Sequence, residues 1–456
     1  MTPDHEERLG AEVSRDAEPG AVLPKRAGLT NAAFKILSSG LNFLLVPLYI
    51  HVYGLSTYGA LSLLLALGQY LSVLDVGITG TLVQTYLRVR THGDYSYFRL
   101  RQLAISFLFA AGGGLAVGGG LSAQWWAPAV GLKQVSDLSL AIFSAGSLVV
   151  LMLVSNCLNS AYVATLRFGW VNVYSLSLNI LPQLVSAGAY AWIGSLGPSL
   201  TLGAVAACAV VGLQSYVLRR EERPIRPKHV SARVSTRLFL ESSATFSLQT
   251  LLGALLMPLL QTVVGMRFGN QANALLDVSR RLLFAARQAL EAIFVPLFAR
   301  ASELQAAHRF AQLRKLAIVS ITASLIGAVV FYLVLALILD ALLVAWLGTI
   351  VASQVAPVAR ILLLGVAFTC PHIGVYQVLS TTSHGRRVNI GAAAVSLLIV
   401  STSFFRETAT LHQVLWTYVA ATGVGAVLTL GAAVPYLTRL TEIMFQSQVT
   451  SRADLG

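Results

Sequence analysis

Charged side chains are scarce. Asp, Glu, Lys and Arg make up 11% of the 456 residues, against roughly 25% in soluble domains. With 56% hydrophobic residues and a mean hydropathy of +0.72, the chain cannot cover a water-facing surface. This excludes an ordinary soluble enzyme of two or three domains. Acids are scarcer than bases, 19 against 32, leaving a net charge of +13. A soluble chain with that surplus would suggest nucleic acid; here it points to anionic lipid headgroups at a cytoplasmic membrane face. The three cysteines, Cys157, Cys208 and Cys370, lie inside apolar runs, are odd in number and lack metal spacing. They imply neither a disulfide framework nor a metal site. The apolar residues come in long runs and do not alternate as along transmembrane strands, so a membrane barrel is not expected. No GxxxxGK[ST] loop occurs, so the chain does not bind ATP by that route. No Ser-centred elbow, HExxH or paired-carboxylate motif occurs either, and an enzyme is not expected.

What remains is a series of long apolar runs. They fall at 29–52, 58–85, 102–122, 136–160, 170–193, 199–218, 238–264, 273–298, 315–339, 357–381, 388–404 and 412–436. A spanning helix needs about 20 apolar residues, so twelve spans fit. With the amino terminus cytoplasmic, the cytoplasmic ends and connections carry 24 Lys and Arg, and the outer connections only Lys133, Arg267 and Arg406. This split obeys the positive-inside rule and places both termini inside. The expected fold class is therefore an all-α integral membrane protein with twelve transmembrane helices in two pseudo-symmetric six-helix lobes. The expected divisions are a disordered cytoplasmic arm at 1–28, an N-terminal lobe at 29–218, a basic cytoplasmic linker at 219–237, a C-terminal lobe at 238–436 and a cytoplasmic tail at 437–456. The arm lacks a basic-then-apolar signal pattern, so no cleaved signal peptide is expected. An internal echo supports two halves: FLLVPLYIHVYG at 43–54 and ALLMPLLQTVVG at 254–265 agree at six positions, including Pro47 with Pro258 and Gly54 with Gly265.

An ionised side chain within a span costs about 2.5–3.5 kcal/mol on insertion scales, so these residues carry the functional question. Asp75, in LSVLDVG, reads either as a cavity-facing carboxylate for a coupling cation or as a hydrogen-bonding residue at a helix break near Gly77. Lys35, one turn into the first span, either snorkels to the cytoplasmic surface or lines the mouth of a cavity. The eighth span carries Asp277, Arg280, Arg281, Arg287 and Glu291 on one stripe about 120° wide, with Phe284 and Gln288. Lipid cannot accept this stripe. It is either a self-neutralised ladder of i,i+3 and i,i+4 ion pairs or, because three arginines face two acids, an anion site suited to phosphate. Glycines at 112–114 and 118–120 allow close helix packing, and Trp125 and Trp126 fit an outer interfacial belt.

The segment PLYIHVYGLSTYGALSLLLALGQYLSVLDVGITGTLVQTYLRVR at 47–90 resembles the polysaccharide transport family, the Wzx-type oligosaccharide flippases of the multidrug/oligosaccharidyl-lipid/polysaccharide exporter superfamily. The resemblance lies in Pro47, Gly54, Tyr58-Gly59, Asp75-Val76-Gly77 and Arg88. DVSRRLLFAARQALEAIFVPLFAR at 277–300 and His384-Gly385-Arg386-Arg387 are similar in the same way. The resemblance implies a bacterial inner-membrane protein, its two lobes enclosing a cationic cavity. It implies outward movement of undecaprenyl-pyrophosphate-linked oligosaccharide by alternating access, for surface polysaccharide such as O-antigen or exopolysaccharide. Arg280, Arg281, Arg287 and Lys35 stand where related flippases place cationic cavity residues. Tyr86 and Tyr376 are candidates to stack on sugar. Asp75, Glu291 and Asp277 are candidates for proton or sodium coupling, with no other cofactor expected. Expected partners are the lipid-linked oligosaccharide, anionic lipids and a polysaccharide polymerase with its assembly proteins. The rival readings are a cation-coupled drug antiporter of the same superfamily, a membrane glycan polymerase, and a lipid scramblase or scaffold.

Overall fold

The computed structural model describes residues 25–453, apart from 76, 93–95, 133–134, 136, 166, 223–235, 307–308, 380–382 and 407. Within the helices it leaves aside some side chains, among them those of Lys35, 236–251, 289–300, Tyr376 and 439–453. Most of the arm and of the linker expected from the sequence therefore lies outside the described residues, as do the side chains of Lys35, Tyr376 and Glu291, and the last four residues of the expected arm, 25–28, are already helical.

Among the described residues all regular structure is helical. Helix α1 covers Lys25–Tyr53, α2 Leu55–Gln69, α3 Ile78–His92, α4 Ser96–Phe107, α5 Gly113–Leu121, α6 Ala123–Trp126, α7 Leu138–Ala164, α8 Phe168–Ile193 and α9 Leu196–Glu222. In the second half, α10 covers Thr236–Ala306, α11 Phe310–Leu379, α12 Ser383–Ser401 and α13 Leu411–Ala453. Helices α10 and α11 are each two passes, broken at Gly269 (φ 80°, ψ −178°) and Gly348 (φ 75°, ψ 163°). The chain thus crosses twelve times and is an all-α integral membrane protein of two six-helix lobes.

Six of the described helical segments are long and apolar enough to span on hydropathy alone. The limb of α10 after Gly269, with Asp277, Arg280 and Arg281, is not one of them. It crosses because its polar side is covered by the other lobe. The second pass is also interrupted: α2 tightens into a 3-10 turn at Tyr70–Asp75, and α3 starts after Gly77 (φ 64°).

One end of the molecule is set by tight turns. Gly54, Gly131, Gly194, Gly269 and Gly348 follow the first, third, fifth, seventh and ninth passes, and all have φ between 72° and 91°. Short reversals there need a positive φ, which glycine adopts without steric cost. Arg267 braces this end by donating to the backbone carbonyls of Arg406 and Phe404. The turns also correct the repeat register. Gly54 corresponds in place to Gly269, not Gly265, so the echo of 43–54 and 254–265 is displaced by four residues, about one helical turn. A one-turn shift keeps the same helix face, which is why the apolar matches survive it.

The opposite end carries the start of α1 and the close of α9. There Arg101 forms a fork with Glu222, Nη1 to Oε1 at 2.6 Å and Nη2 to Oε2 at 2.5 Å, and also donates to the Tyr97 hydroxyl. Both side chains are buried. Arg101, one of the 24 basic residues counted on the cytoplasmic side, ties α4 to the end of α9. Of the glycines expected to pack, Gly112 and Gly120 do meet α7, against Val150 and Ser139, whereas Gly113, Gly114 and Gly118 face open space.

The lobes meet on the glycine-turn side. Gly59 on α2 lies so close to the Asn270 carbonyl that no side chain would fit between them. Asn273 donates to the Gly59 carbonyl at 2.9 Å and to Ser62 Oγ at 2.8 Å. Gly131 likewise abuts the Gly265 carbonyl. Phe43 of α1 stacks on Trp346 of α11 with ring centroids 3.9 Å apart.

Candidate functional site

Beneath that seal, a cavity of about 530 Å³ lies between the lobes, lined by residues near the middle of their helices. The charged part of its lining comes from α10. Helical spacing stacks Asp277, Arg280 and Arg281 one turn apart. Asp277 Oδ1 accepts from Arg280 Nη2 at 2.6 Å and Nε at 3.0 Å, and Oδ2 accepts from Arg281 Nε at 2.9 Å. The Tyr58 hydroxyl of α2 donates to Oδ2 at 2.5 Å, and Gln261 donates to Oδ1 at 3.2 Å. Asp277 is 1% exposed, whereas the side chains of Arg280 and Arg281 keep 23% and 14% of their surface. One buried carboxylate therefore aims two guanidinium groups at the cavity and leaves a surplus positive charge. Arg281 also lies over the rings of Tyr49 and Tyr58, at 6.0 and 5.9 Å. A small recess bounded by Tyr49, Tyr53, Gln183 and Arg281 continues the cavity into the N-terminal lobe.

The stripe read from the sequence divides. Phe284, Ala285 and Gln288 line the cavity with Arg280 and Arg281. Arg287 does not: two turns along the helix from Arg280 and on nearly the same face, its guanidinium sits over the Phe284 ring at 5.5 Å instead. Lys35 precedes the cavity-lining Ser38 by about one turn of α1. Asp75 stands apart from the cavity lining. Its carboxylate accepts from the Thr79 amide at 3.2 Å and the Thr79 hydroxyl at 3.0 Å, capping the first turn of α3. Tyr86 is buried edge-on against Tyr97, centroids 4.7 Å apart, and is no part of the cavity lining. No cluster of three potential metal ligands occurs among the described residues.

Sequence reasoning missed the N-terminal lobe's share of the site. Asn42, Gln69, Ser72, Asn156, Asn179 and Gln183 line the cavity from α1, the α2–α3 break, α7 and α8. Their signal was available: Asn and Gln within spans 1, 2, 4 and 5, where lipid would penalise them. Attention to ionised residues alone passed over them.

No protein-family model and no curated protein matches the sequence. Solved structures do. The chain is similar to a MATE protein crystallised with MaL6, with a TM-score of 0.65 and 12% identity over 92% of this chain and 97% of that one. It is similar to a multidrug resistance MATE family transporter of the MOP superfamily in an inward-facing conformation, with a TM-score of 0.55 and 13% identity over 91% and 96% of the two chains. It is also similar to a MOP superfamily transporter from Pyrococcus furiosus whose binding pocket has reverse polarity, suggesting a different function. There the TM-score is 0.60 and the identity 12% over 92% and 97%. At such identities the likeness is one of fold.

Proposed function

We propose that the protein is a flippase that carries undecaprenyl-pyrophosphate-linked oligosaccharide across the bacterial inner membrane by alternating access, with both termini cytoplasmic. It is a transporter and not an enzyme in this reading. The observation that carries it is the cavity in which Arg280 and Arg281 outnumber Asp277. A planar guanidinium donates in a fork that matches phosphate oxygens, and two adjacent ones suit a diphosphate. Lys35, nearer the start of α1, is assigned the first contact with the incoming headgroup. Arg287 supports the positive potential of the eighth pass without lining the cavity. The seal at Gly59, Asn270 and Asn273 closes the glycine-turn side, which leaves the opposite side as the entry face in this conformation. Opening the seal while closing the opposite end would deliver the headgroup outward.

A cation-coupled drug antiporter is the rival reading. A cationic drug needs an unpaired acid, and the cavity's Asp277 already accepts from two arginines. Polymerase chemistry is not favoured by a site buried between lobes. Direction would come from a proton or sodium gradient, with Asp75 as the coupling candidate, or from consumption of the product outside by a polymerase. In liposomes containing the purified protein and the host's lipid-linked oligosaccharide, the glycan should become exposed on the opposite leaflet. Arg280→Ala with Arg281→Ala should slow this at least about tenfold, the effect of about 1.4 kcal/mol. Unchanged exposure in the double variant would remove the two arginines from the site.

A further inference from the structure

The two walls of the central cavity differ in chemistry. Every described ionisable side chain lining it, Asp277, Arg280 and Arg281, belongs to the C-terminal lobe. The N-terminal lobe lines it with neutral groups. Gln69, Ser72, Asn156, Asn179 and Gln183 all reach this wall, and none of the five has a side-chain hydrogen-bond partner among the described residues. This contrasts with Gln214, buried inside the same lobe, whose amide is bonded to Ser155 and Asn159. A primary amide offers two donors and an acceptor, and these face the cavity with their bonding capacity left for whatever occupies it. Asn179 and Gln183 are one turn apart on α8 and present their amides side by side.

We infer that this N-terminal wall is a carbohydrate-reading subsite, in which Asn156, Asn179 and Gln183 bond the hydroxyls of a neutral glycan. The diphosphate stays on Arg280 and Arg281. Paired donors and acceptors without charge suit sugar hydroxyls, which both donate and accept, and give no anchor to a free anion or an organic cation. The inference rests on the flippase reading, because it places the glycan relative to the diphosphate. It assigns discrimination between sugars to one lobe and recognition of the shared headgroup to the other.

The test uses the full chain in nanodiscs and three probes: undecaprenyl diphosphate, the lipid-linked oligosaccharide extracted from the host membrane, and the free oligosaccharide released from it. Wild type should bind the glycan-bearing lipid more tightly than the sugar-free lipid. Asn179→Leu with Gln183→Met should weaken the glycan lipid by about tenfold, the equivalent of one or two hydrogen bonds, and leave undecaprenyl diphosphate within about twofold. Retained sugar-free binding also reports that the variant is folded. The free oligosaccharide should compete with the glycan lipid on wild type and not on the variant. Equal affinity of wild type for both lipids overturns the subsite while leaving the diphosphate reading intact. So does an unchanged glycan lipid affinity in the variant. If the double variant loses both lipids, Asn156→Leu decides: parallel loss of both lipids there overturns the assignment, and selective loss of the glycan lipid upholds it. Failure of wild type to bind either lipid sinks the flippase reading itself.

Discussion

Asp277 accepts five hydrogen bonds on two oxygens. A carboxylate at this position lets Arg280 and Arg281 sit side by side at the cavity wall. Asp277→Asn keeps the shape and removes the charge, which should destabilise the protein by about 3–5 kcal/mol, the range for breaking a buried pair. A thermal unfolding scan in detergent measures it; an unchanged midpoint would show that the arginines need no carboxylate. Asp75 allows its two readings to be separated. Asn caps a helix as well as Asp does, whereas Ala loses about 0.5–2 kcal/mol. Asp75→Asn should therefore retain thermal stability and Asp75→Ala lose it. If Asp75 couples transport to an ion, both variants should also lose any stimulation by an imposed proton or sodium gradient.

Helix-level behaviour is governed by where glycine permits a break. The eighth pass begins at Gly269, with φ 80° and ψ −178°, a region almost closed to other residues. Gly269→Ala should cost about 1–3 kcal/mol, seen as a lower unfolding midpoint, and should shift the register in which Asn270, Asn273 and Asp277 meet α2. Gly188, which faces open space inside α8 without a positive φ, is the control position: alanine there should be tolerated. The interruption at Tyr70–Asp75 has the same character. The run at 58–85 is one apolar span with a break near Gly77 among its readings, and the break follows from Gly77 and the Asp75–Thr79 cap, which together favour a restart over continuation.

The two lobes meet at the seal formed by Gly59, Asn270 and Asn273. Ser62 and Asn273 touch across it, Oγ to Nδ2 at 2.8 Å. With exposed Cys208 replaced by Ala, a Ser62→Cys, Asn273→Cys pair should form a disulfide on oxidation. The lock should arrest glycan flipping, and reductant should restore it; the single variants should flip under both conditions. Continued flipping by the locked protein would exclude separation of the lobes at this seal as part of the transport cycle.

Membrane class, the number of passes and the chemical oddity of the eighth one are legible in the chain alone, because a bilayer imposes length, apolarity and charge asymmetry on each segment separately. Those constraints are local. The stacking of Asp277, Arg280 and Arg281 is readable for the same reason, since helical spacing alone brings them together. Which of the eighth pass's charges line the cavity is settled only by folding, because this depends on side-chain direction and depth against tertiary neighbours: Arg280 and Arg281 line it, and Arg287, on nearly the same face as Arg280, does not. Folding also brings Tyr58 to complete the carboxylate's shell from 219 residues away. The neutral amides of α7 and α8 became a wall only when the lobes closed and placed them opposite the arginines. No local rule in the chain links residues so far apart.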